Sequence, residues 1–455
     1  MILVLNKSTK WTSERLAEHV CHLKSGDIPH SALSSASRCV LDAIGAGIAG
    51  FQSPAAKVVR QFCKEFFSKG TASVWFSDKQ LSTAGAAMAN SAAVSVLDVD
   101  DGSRLACGHP GAVIIPASLA LAQAAGASGR QFLSAVAIGY QVAVNIAASR
   151  DLSKLDTYST GRWGAYGVAA AGAWLYGLNP SVLAHALAIS GNYSPMQSAS
   201  GYGKVANNVK EGIPWSAMTG VASLGLAQEG LTGPLDIFDN PEYFNTSIIL
   251  QTLSGPYVIE QTYFKPYSCC RWFHSGIEGL VDLMQQHHLS PSDVHSVQVY
   301  TFKEALTEKN DVAPQSLESA QYSYPFCLAV AAHGGAKALL PFDEKWIGRK
   351  DLLEWALRVQ LVLDQELDAL FPHQTAARLV VNTQQERLSR LIEYPLGDPA
   401  NPLSLRDHQD KFFALSRKCL HDDECHKMVK SVDDLMNDDL TGLILNLEKC
   451  RVKGC

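Results

Sequence analysis

Asp98-Val99-Asp100-Asp101-Gly102-Ser103-Arg104-Leu105-Ala106-Cys107-Gly108-His109-Pro110-Gly111 interrupts the least charged part of a 455-residue chain. Three carboxylates, a histidine and a His-Pro-Gly turn follow an apolar run that ends at Leu97. Residues 81–200 contain ten charged side chains, whereas 401–455 contain nineteen. So few charges leave little material for solvated helix faces. The spacing therefore predicts helices buried on most sides, as in the inner layer of a large helical domain or at an interface. Charges retained in such surroundings cost several kcal/mol each to bury unless they are paired or functional. Composition alone leaves two readings open for the stretch: a surface loop with a helix-capping aspartate, or a reactive site.

The whole chain agrees with this picture. It is 47% hydrophobic and only 18% charged, against about 25% for a typical soluble domain. A chain this apolar buries enough surface to fold, which excludes disorder. The net charge of −6 provides no basic excess for counterion release, which argues against nucleic acid as a partner. The length suggests two or three domains. No run of about 18 uninterrupted apolar residues supports a membrane span. Residues 1–12 lack the apolar core and small-residue cleavage site of a signal peptide and are not Arg-rich like a transit peptide. The expected location is cytoplasmic, with a mitochondrial one left open. Eleven cysteines without a framework read as reduced thiols.

Periodicity predicts helices at Glu14–Ser25, Ser31–Gly50, Gly85–Leu97, Pro116–Ala127, Arg130–Ser149, Gly164–Leu178, Pro180–Ser190 and Gly212–Gly230. Gly230-Leu-Thr-Gly-Pro234 reads as a stop. The character changes after about Pro256. Val297, Val299 and Thr301 alternate with Gln298, Tyr300 and Phe302 as in a strand, and Arg378–Thr383 is a second such run. Helices are expected near Ala320–His333 and Asp351–Val362. From about Pro402 the chain reads as charged helices.

Several familiar motifs are absent: no G-x-S-x-G elbow, no H-E-x-x-H and no phosphate loop. Gly161, Gly164 and Gly167 follow no strand, so helix packing is the better reading than dinucleotide binding. Cys419, His421, Cys425 and His426 could be drawn as a metal cluster, but their acidic neighbours make a solvated face the better reading. A second stretch draws notice: Tyr263-Phe-Lys265-Pro-Tyr267-Ser-Cys-Cys-Arg271-Trp-Phe-His274 packs cations around aromatics where the composition changes, and domain junctions often hold pockets.

Taken together, these stretches resemble the MmgE/PrpD family of 2-methylcitrate dehydratases, cis-aconitate decarboxylases and iminodisuccinate epimerases. The resemblance covers nearly the whole chain. The Asp-x-Asp-Asp … His-Pro-Gly … Ile115-Pro116-Ala117 block is its most specific part. Lys210-Glu-Gly-Ile-Pro-Trp-Ser-Ala-Met-Thr-Gly220, the 264–274 segment, Ala320-Gln-Tyr-Ser323 and Tyr394-Pro-Leu-Gly-Asp-Pro-Ala-Asn-Pro-Leu-Ser404 support it.

The resemblance implies a mainly α fold: a large all-helical domain, from residues 1–262 plus 398–455, with an inserted α+β lid domain at 263–397. It implies a homodimer that works without metal or organic cofactor on a small polycarboxylate, at a site between the helical domain and the lid. The family's aspartate and histidine fall on Asp98 and His109, its lysines on Lys210 and Lys265. Three positions depart from the pattern. Tyr158 stands about where the decarboxylases carry histidine, Phe326 where they carry tyrosine, and Gly102 or Ser103 where the family has threonine.

The family's reactions share proton transfer at a carbon beside a carboxylate, which needs an acid/base and fixed cations. The expected roles are His109 as acid/base oriented by Asp98, and Lys210 and Lys265 on substrate carboxylates. Tyr158 is expected to relay a proton, and Ser103, Arg271 and His274 to line the substrate site. The leading expectation is a lyase of the dehydratase or decarboxylase type. An epimerase or isomerase using the same site, and a non-catalytic family member, remain the alternatives.

Overall fold

Helices α1 (Thr12–His22), α2 (His30–Gly50), α3 (Pro54–Phe66), α4 (Thr83–Ser95), α5 (Pro110–Ala125), α6 (Gly129–Ala148), α7 (Gly164–Leu175), α8 (Pro180–Tyr193) and α9 (Ile213–Gln228) carry the N-terminal half. They belong to a computed structural model that describes residues 10–155, 157–195 and 208–453. The segment read above for leader signals falls mostly outside the described residues. The scarcity of charge is explained by burial: α5, α6 and α7 are covered along most of their length and share one core. Among the described helices only α6 is long and apolar enough to cross a bilayer, and it lies inside this core.

Small residues set the close approaches. A Cβ on Gly167 would lie 2.4 Å from the Gly139 carbonyl oxygen, so α6 and α7 meet backbone to backbone. The glycine series at 161–167 is therefore helix packing. Helix α5 begins six residues earlier than the sequence suggested. Pro110 occupies its first turn, where a missing N–H is harmless, and Pro116 lies inside it. That proline cannot donate to the Ala112 carbonyl four residues back. The Ser91 hydroxyl of α4 donates to Ala112 O instead.

After Thr262 a second core forms. Its sheet has the order β4-β3-β5-β6, with β3 (Ser296–Thr301), β4 (Val359–Leu363), β5 (Ala377–Asn382) and β6 (Arg387–Ile392). A separate two-stranded ribbon, β1 (Ala72–Ser73) with β2 (Gln80–Leu81), lies in the N-terminal half. β3 pairs parallel to β4 and antiparallel to β5. Val297, Val299 and Thr301 point inward, as their alternation indicates. Helices His274–Gln286 and Tyr324–Gly334 belong to this core. The segment expected as one helix to Val362 ends at Ala356 and continues as β4, an edge strand without clean alternation. Among the described residues β6 has no partner on its outer side, and it carries Arg387 and Arg390, charges typical of a protected edge.

Helices Leu405–Ser416, Asp422–Asp433 and Leu440–Lys449 return to the first core, where Phe412, Met428 and Leu443 are buried. Lys411 reaches through to Asp42 and to the Val99 carbonyl. Cys419 and Cys425 are buried while His421 and His426 are exposed, so these four do not converge on a metal. Among the described residues nine cysteines are free thiols, whereas Cys419 is disulfide-bonded, which corrects the expectation of reduced thiols at that position.

Candidate active site

The loop between α4 and α5 delivers the acidic block to the seam between the two cores. Asp98 takes a left-handed φ of 52°, and Cys107, Lys210 and Glu211 do likewise at 49°, 46° and 57°. Such backbone is costly for side-chain-bearing residues and gathers at functional sites. Asp101 caps α5: its Oδ1 accepts from Gly111 N at 3.0 Å and its Oδ2 from the Tyr140 hydroxyl at 2.5 Å. Burial, then the Asp42 charge, push the Asp101 pKa up to about 7. Asp101 is thus part of the scaffold.

A void of about 560 Å³, counted with its open mouth, lies between the cores. Its walls include Asp98, Ser103, Arg104, His109 and Glu211 from the helical side, and Arg271, Trp272, Glu308, Tyr322 and Thr375 from the other. Tyr158 also lines it, edge-on to Trp272 with ring centroids 6.0 Å apart.

Asp98 is a carboxylate clamped by two ammonium groups. Lys210 Nζ donates to Oδ1 at 2.6 Å, and Lys265 Nζ to Oδ2 at 2.9 Å and to the Asp98 carbonyl at 3.1 Å. Burial opposes the charge on Asp98, but Lys210 and Lys265 outweigh it and hold its pKa well below 3.8. Burial likewise opposes the Lys265 ammonium, and Asp98 reverses that, raising its pKa. Lys265 is fully buried and neither lysine forms the cavity wall. The sequence placed both on substrate carboxylates. The structure places them behind Asp98, because an unpaired buried aspartate would be far costlier.

His109 is the N-cap of α5. Its Nδ1 lies 3.1 Å from the Asp101 carbonyl, an acceptor only, which fixes Nδ1 as the donor. The Asp100 carboxylate stands 3.2 Å from the same nitrogen, out of line for a hydrogen bond. Nε2 faces Glu211 Oε1 at 3.6 Å and Asp98 Oδ1 at 3.8 Å. The sequence made Asp98 the orienting residue; the shorter contacts come from Asp100 and Asp101. Burial and the Lys265 charge push the His109 pKa down, but Asp100 and Glu211 outweigh them and raise it above 6.5.

Glu211 is positioned by Thr160, which donates to its Oε2 through N at 3.1 Å and Oγ1 at 2.8 Å. Ser159 Oγ donates to the Glu211 carbonyl at 2.6 Å. A Cβ on Gly161 would lie 2.3 Å from that carbonyl, so only glycine lets the two turns meet.

Other expected residues fall differently. Ser103 and Arg271 line the cavity. His274 does not: it sits behind Arg271, with Nδ1 3.3 Å from the guanidinium and Nε2 3.2 Å from the Cys269 carbonyl. Burial and the Arg271 charge hold its pKa well below 6.5, so it adds no positive charge. Phe326 is buried in the second core, away from the cavity. A tyrosine hydroxyl is nevertheless present, because Tyr322 OH lies 2.9 Å from Lys210 Nζ. Burial pushes the Tyr158 pKa up to about 12, which keeps its hydroxyl protonated. It also pushes the Cys107 thiol up to about 12, so that side chain is a poor nucleophile.

Sequence reasoning missed Asp100, Glu211, Glu308 and Tyr322. The first, second and last lie inside the quoted motifs and could have been read there. Glu308 sits in an ordinary-looking charged turn, Thr307-Glu-Lys-Asn310, with no signal.

Asp98, His109 and Glu211 each offer a ligand atom, all within 4.8 Å of one another. A divalent cation there would confront Lys210 and Lys265, which already neutralise Asp98. The donor set suits proton transfer better than metal ligation.

Two family models match the chain: the MmgE/PrpD N-terminal domain over residues 14–252 and the MmgE/PrpD C-terminal domain over 267–435. The chain belongs to the MmgE/PrpD family. Two distant relatives span it almost completely, and a third matches about half of it. Human cis-aconitate decarboxylase is 24% identical over 450 residues, covering 94% of this chain and 92% of its own. The cis-aconitate decarboxylase of Aspergillus terreus is 23% identical over 481 residues, with 96% of each chain covered. A cis-aconitate decarboxylase-like protein, oryM of Aspergillus oryzae, is 26% identical over 234 residues, covering 49% of this chain and 48% of its own. In this MmgE/PrpD protein the two matched domains meet at the cavity described above.

Proposed function

We propose that this MmgE/PrpD protein is a lyase that acts on a small polycarboxylate by proton transfer at a carbon beside a carboxylate, without metal or organic cofactor. The observation that carries the reading is the histidine. His109 has one nitrogen fixed as donor to the Asp101 carbonyl, a raised pKa, and its other nitrogen facing the cavity between Glu211 and Asp98. Its raised pKa favours the imidazolium, and an imidazolium so placed can donate a proton into the cavity.

The decarboxylation form balances as follows. The bond from carbon to one carboxylate breaks and carbon dioxide leaves. The electron pair remains on that carbon and delocalises into the neighbouring carboxylate as an enediolate. The Nε2 proton of His109 then forms the new C–H bond, and water returns a proton to the ring. Trp272, Phe371 and Tyr263 supply an apolar wall that favours loss of the charged leaving carboxylate. In the dehydration form neutral His109 takes the proton from the carbon beside the carboxylate, and the imidazolium so formed gives it to the hydroxyl on the neighbouring carbon, which leaves as water while the double bond forms. The α+β unit acts as a lid, since it supplies half of the cavity wall. The reading carries with it a homodimer, which sedimentation would detect.

One observation favours an epimerase as the second reading. Tyr158 lines the cavity with its hydroxyl protonated, a second acid in the place where the family's decarboxylases carry histidine. The purified protein incubated with cis-aconitate, 2-methylcitrate and related acids separates the readings. Carbon dioxide release supports the decarboxylase, new conjugated-alkene absorbance the dehydratase, and solvent exchange without group loss the epimerase. No reaction with any of them contradicts an enzymatic role.

A further inference from the structure

Lys210 and Lys265 are committed to Asp98, so another group of cations must hold an anion in this cavity. Two guanidiniums stand on the wall shared with the α+β unit. Arg104 donates to the His373 carbonyl, and its Nε lies 3.5 Å from Asp398 Oδ2. Arg271 NH2 lies 3.6 Å from the same oxygen, and its guanidinium covers the Tyr263 ring at 4.8 Å. Both separations exceed the ~2.7–2.9 Å of a charge-assisted hydrogen bond. One carboxylate thus lies between two guanidiniums; Arg271 also donates to the Leu396 and Pro395 carbonyls and feels the Glu278 charge, and the pair sets its positive charge on the cavity wall.

Unused donors accompany that charge. Arg271, 4% exposed, has an Nε with no hydrogen-bond partner. Thr375, 5% exposed, has an Oγ1 with no partner and lines the same cavity. A buried polar group left unpaired costs about 1–3 kcal/mol, and its retention calls for an explanation such as a ligand.

We propose that Arg104, Arg271 and Thr375 form a second carboxylate subsite at the seam between the helical and α+β units. The substrate is then at least a dicarboxylate: its remote carboxylate is gripped here while the reacting carbon lies against His109. This deepens the proton-transfer reading and rests on it for the placement of the reacting carbon. The planar fork of arginine suits a carboxylate in two-point contact, which a lysine cannot reproduce. Because Arg104 also donates across the seam to His373, an anion held here ties the two units together.

Calorimetric titration of the full-length protein tests the subsite. The probes are glutarate and pentanoate, which have equal carbon number and differ by one carboxylate. In Arg104→Met, glutarate is expected to bind about 10- to 100-fold more weakly, with pentanoate unchanged. In Thr375→Val, which removes a hydroxyl that makes no hydrogen bond, the expected loss is about tenfold with an unchanged melting midpoint. Wild-type glutarate affinity in both folded variants, an equal loss for pentanoate, or no glutarate binding to the wild-type protein overturns the subsite. Turnover assays of the wild-type protein beside these titrations separate this proposal from the lyase reading. Arg104-dependent glutarate binding without turnover of any acid leaves the subsite and removes the lyase. Turnover with binding indifferent to Arg104 does the reverse.

Discussion

Lys265 has no exposed surface, and its ammonium makes both of its hydrogen bonds to Asp98. Replacing it by methionine keeps the volume and strands a buried carboxylate. Lys265→Met is expected to cost about 3–5 kcal/mol in denaturant unfolding. Adding Asp98→Asn should recover part of that loss in a double-mutant cycle. Full additivity would mean that the pair is not coupled. Glu308 gives a pH test. Burial first, then Glu211 and Asp98, push its pKa from 4.5 up to about 8. Above pH 4.5 the unfolded chain has released this proton while the folded protein still holds it. Rising pH therefore favours unfolding, and this contribution to stability falls between pH 4.5 and about 8. Glu308→Gln should flatten that part of the stability–pH curve; an unchanged slope would show that Glu308 ionises normally. At this scale the sequence drew notice to the stretch with Asp98 and His109, because charge is conspicuous in a neutral region, and the family resemblance made the two residues candidates. It could not show that the lysines face Asp98, because that pairing joins chain segments far apart in sequence; His274 lies behind Arg271 within one short turn, whose cavity-facing side the sequence does not mark.

Among the elements, α5 shows how a local rule is satisfied by a distant partner. Pro116 suggested a helix start, since proline is best tolerated in a first turn. The helix instead runs through it because Ser91 of α4 replaces the missing donor at Ala112 O. Ser91→Ala leaves that carbonyl unpaired in a buried place and is expected to destabilise the protein by about 1–3 kcal/mol. A change within a few tenths of a kcal/mol would mean that the carbonyl finds another partner. The long buried helices were legible from composition and period. β4 and β6 were not: both are edge strands, and their half-exposed faces blur the alternation on which strand reading depends.

For the whole molecule, the division of labour between two cores was visible as a change of composition near Pro256, and the return of the C-terminal helices came only with the family resemblance. The cavity takes its walls from both cores, so a ligand that bridges them stabilises both. A polycarboxylate at about 100 times its Kd should raise unfolding free energy by about 2.7 kcal/mol in a single transition. Two separated transitions, only one of them ligand-sensitive, would contradict a shared site. The central claim concerns His109, and proton NMR in deuterated water addresses it most directly. For whichever polycarboxylate reacts, wild-type protein should deliver solvent deuterium to the product carbon beside a carboxylate, and His109→Asn should slow that delivery by about 10²–10⁴-fold while still binding the acid. Deuterium delivery at an undiminished rate in the folded His109→Asn protein would contradict the account.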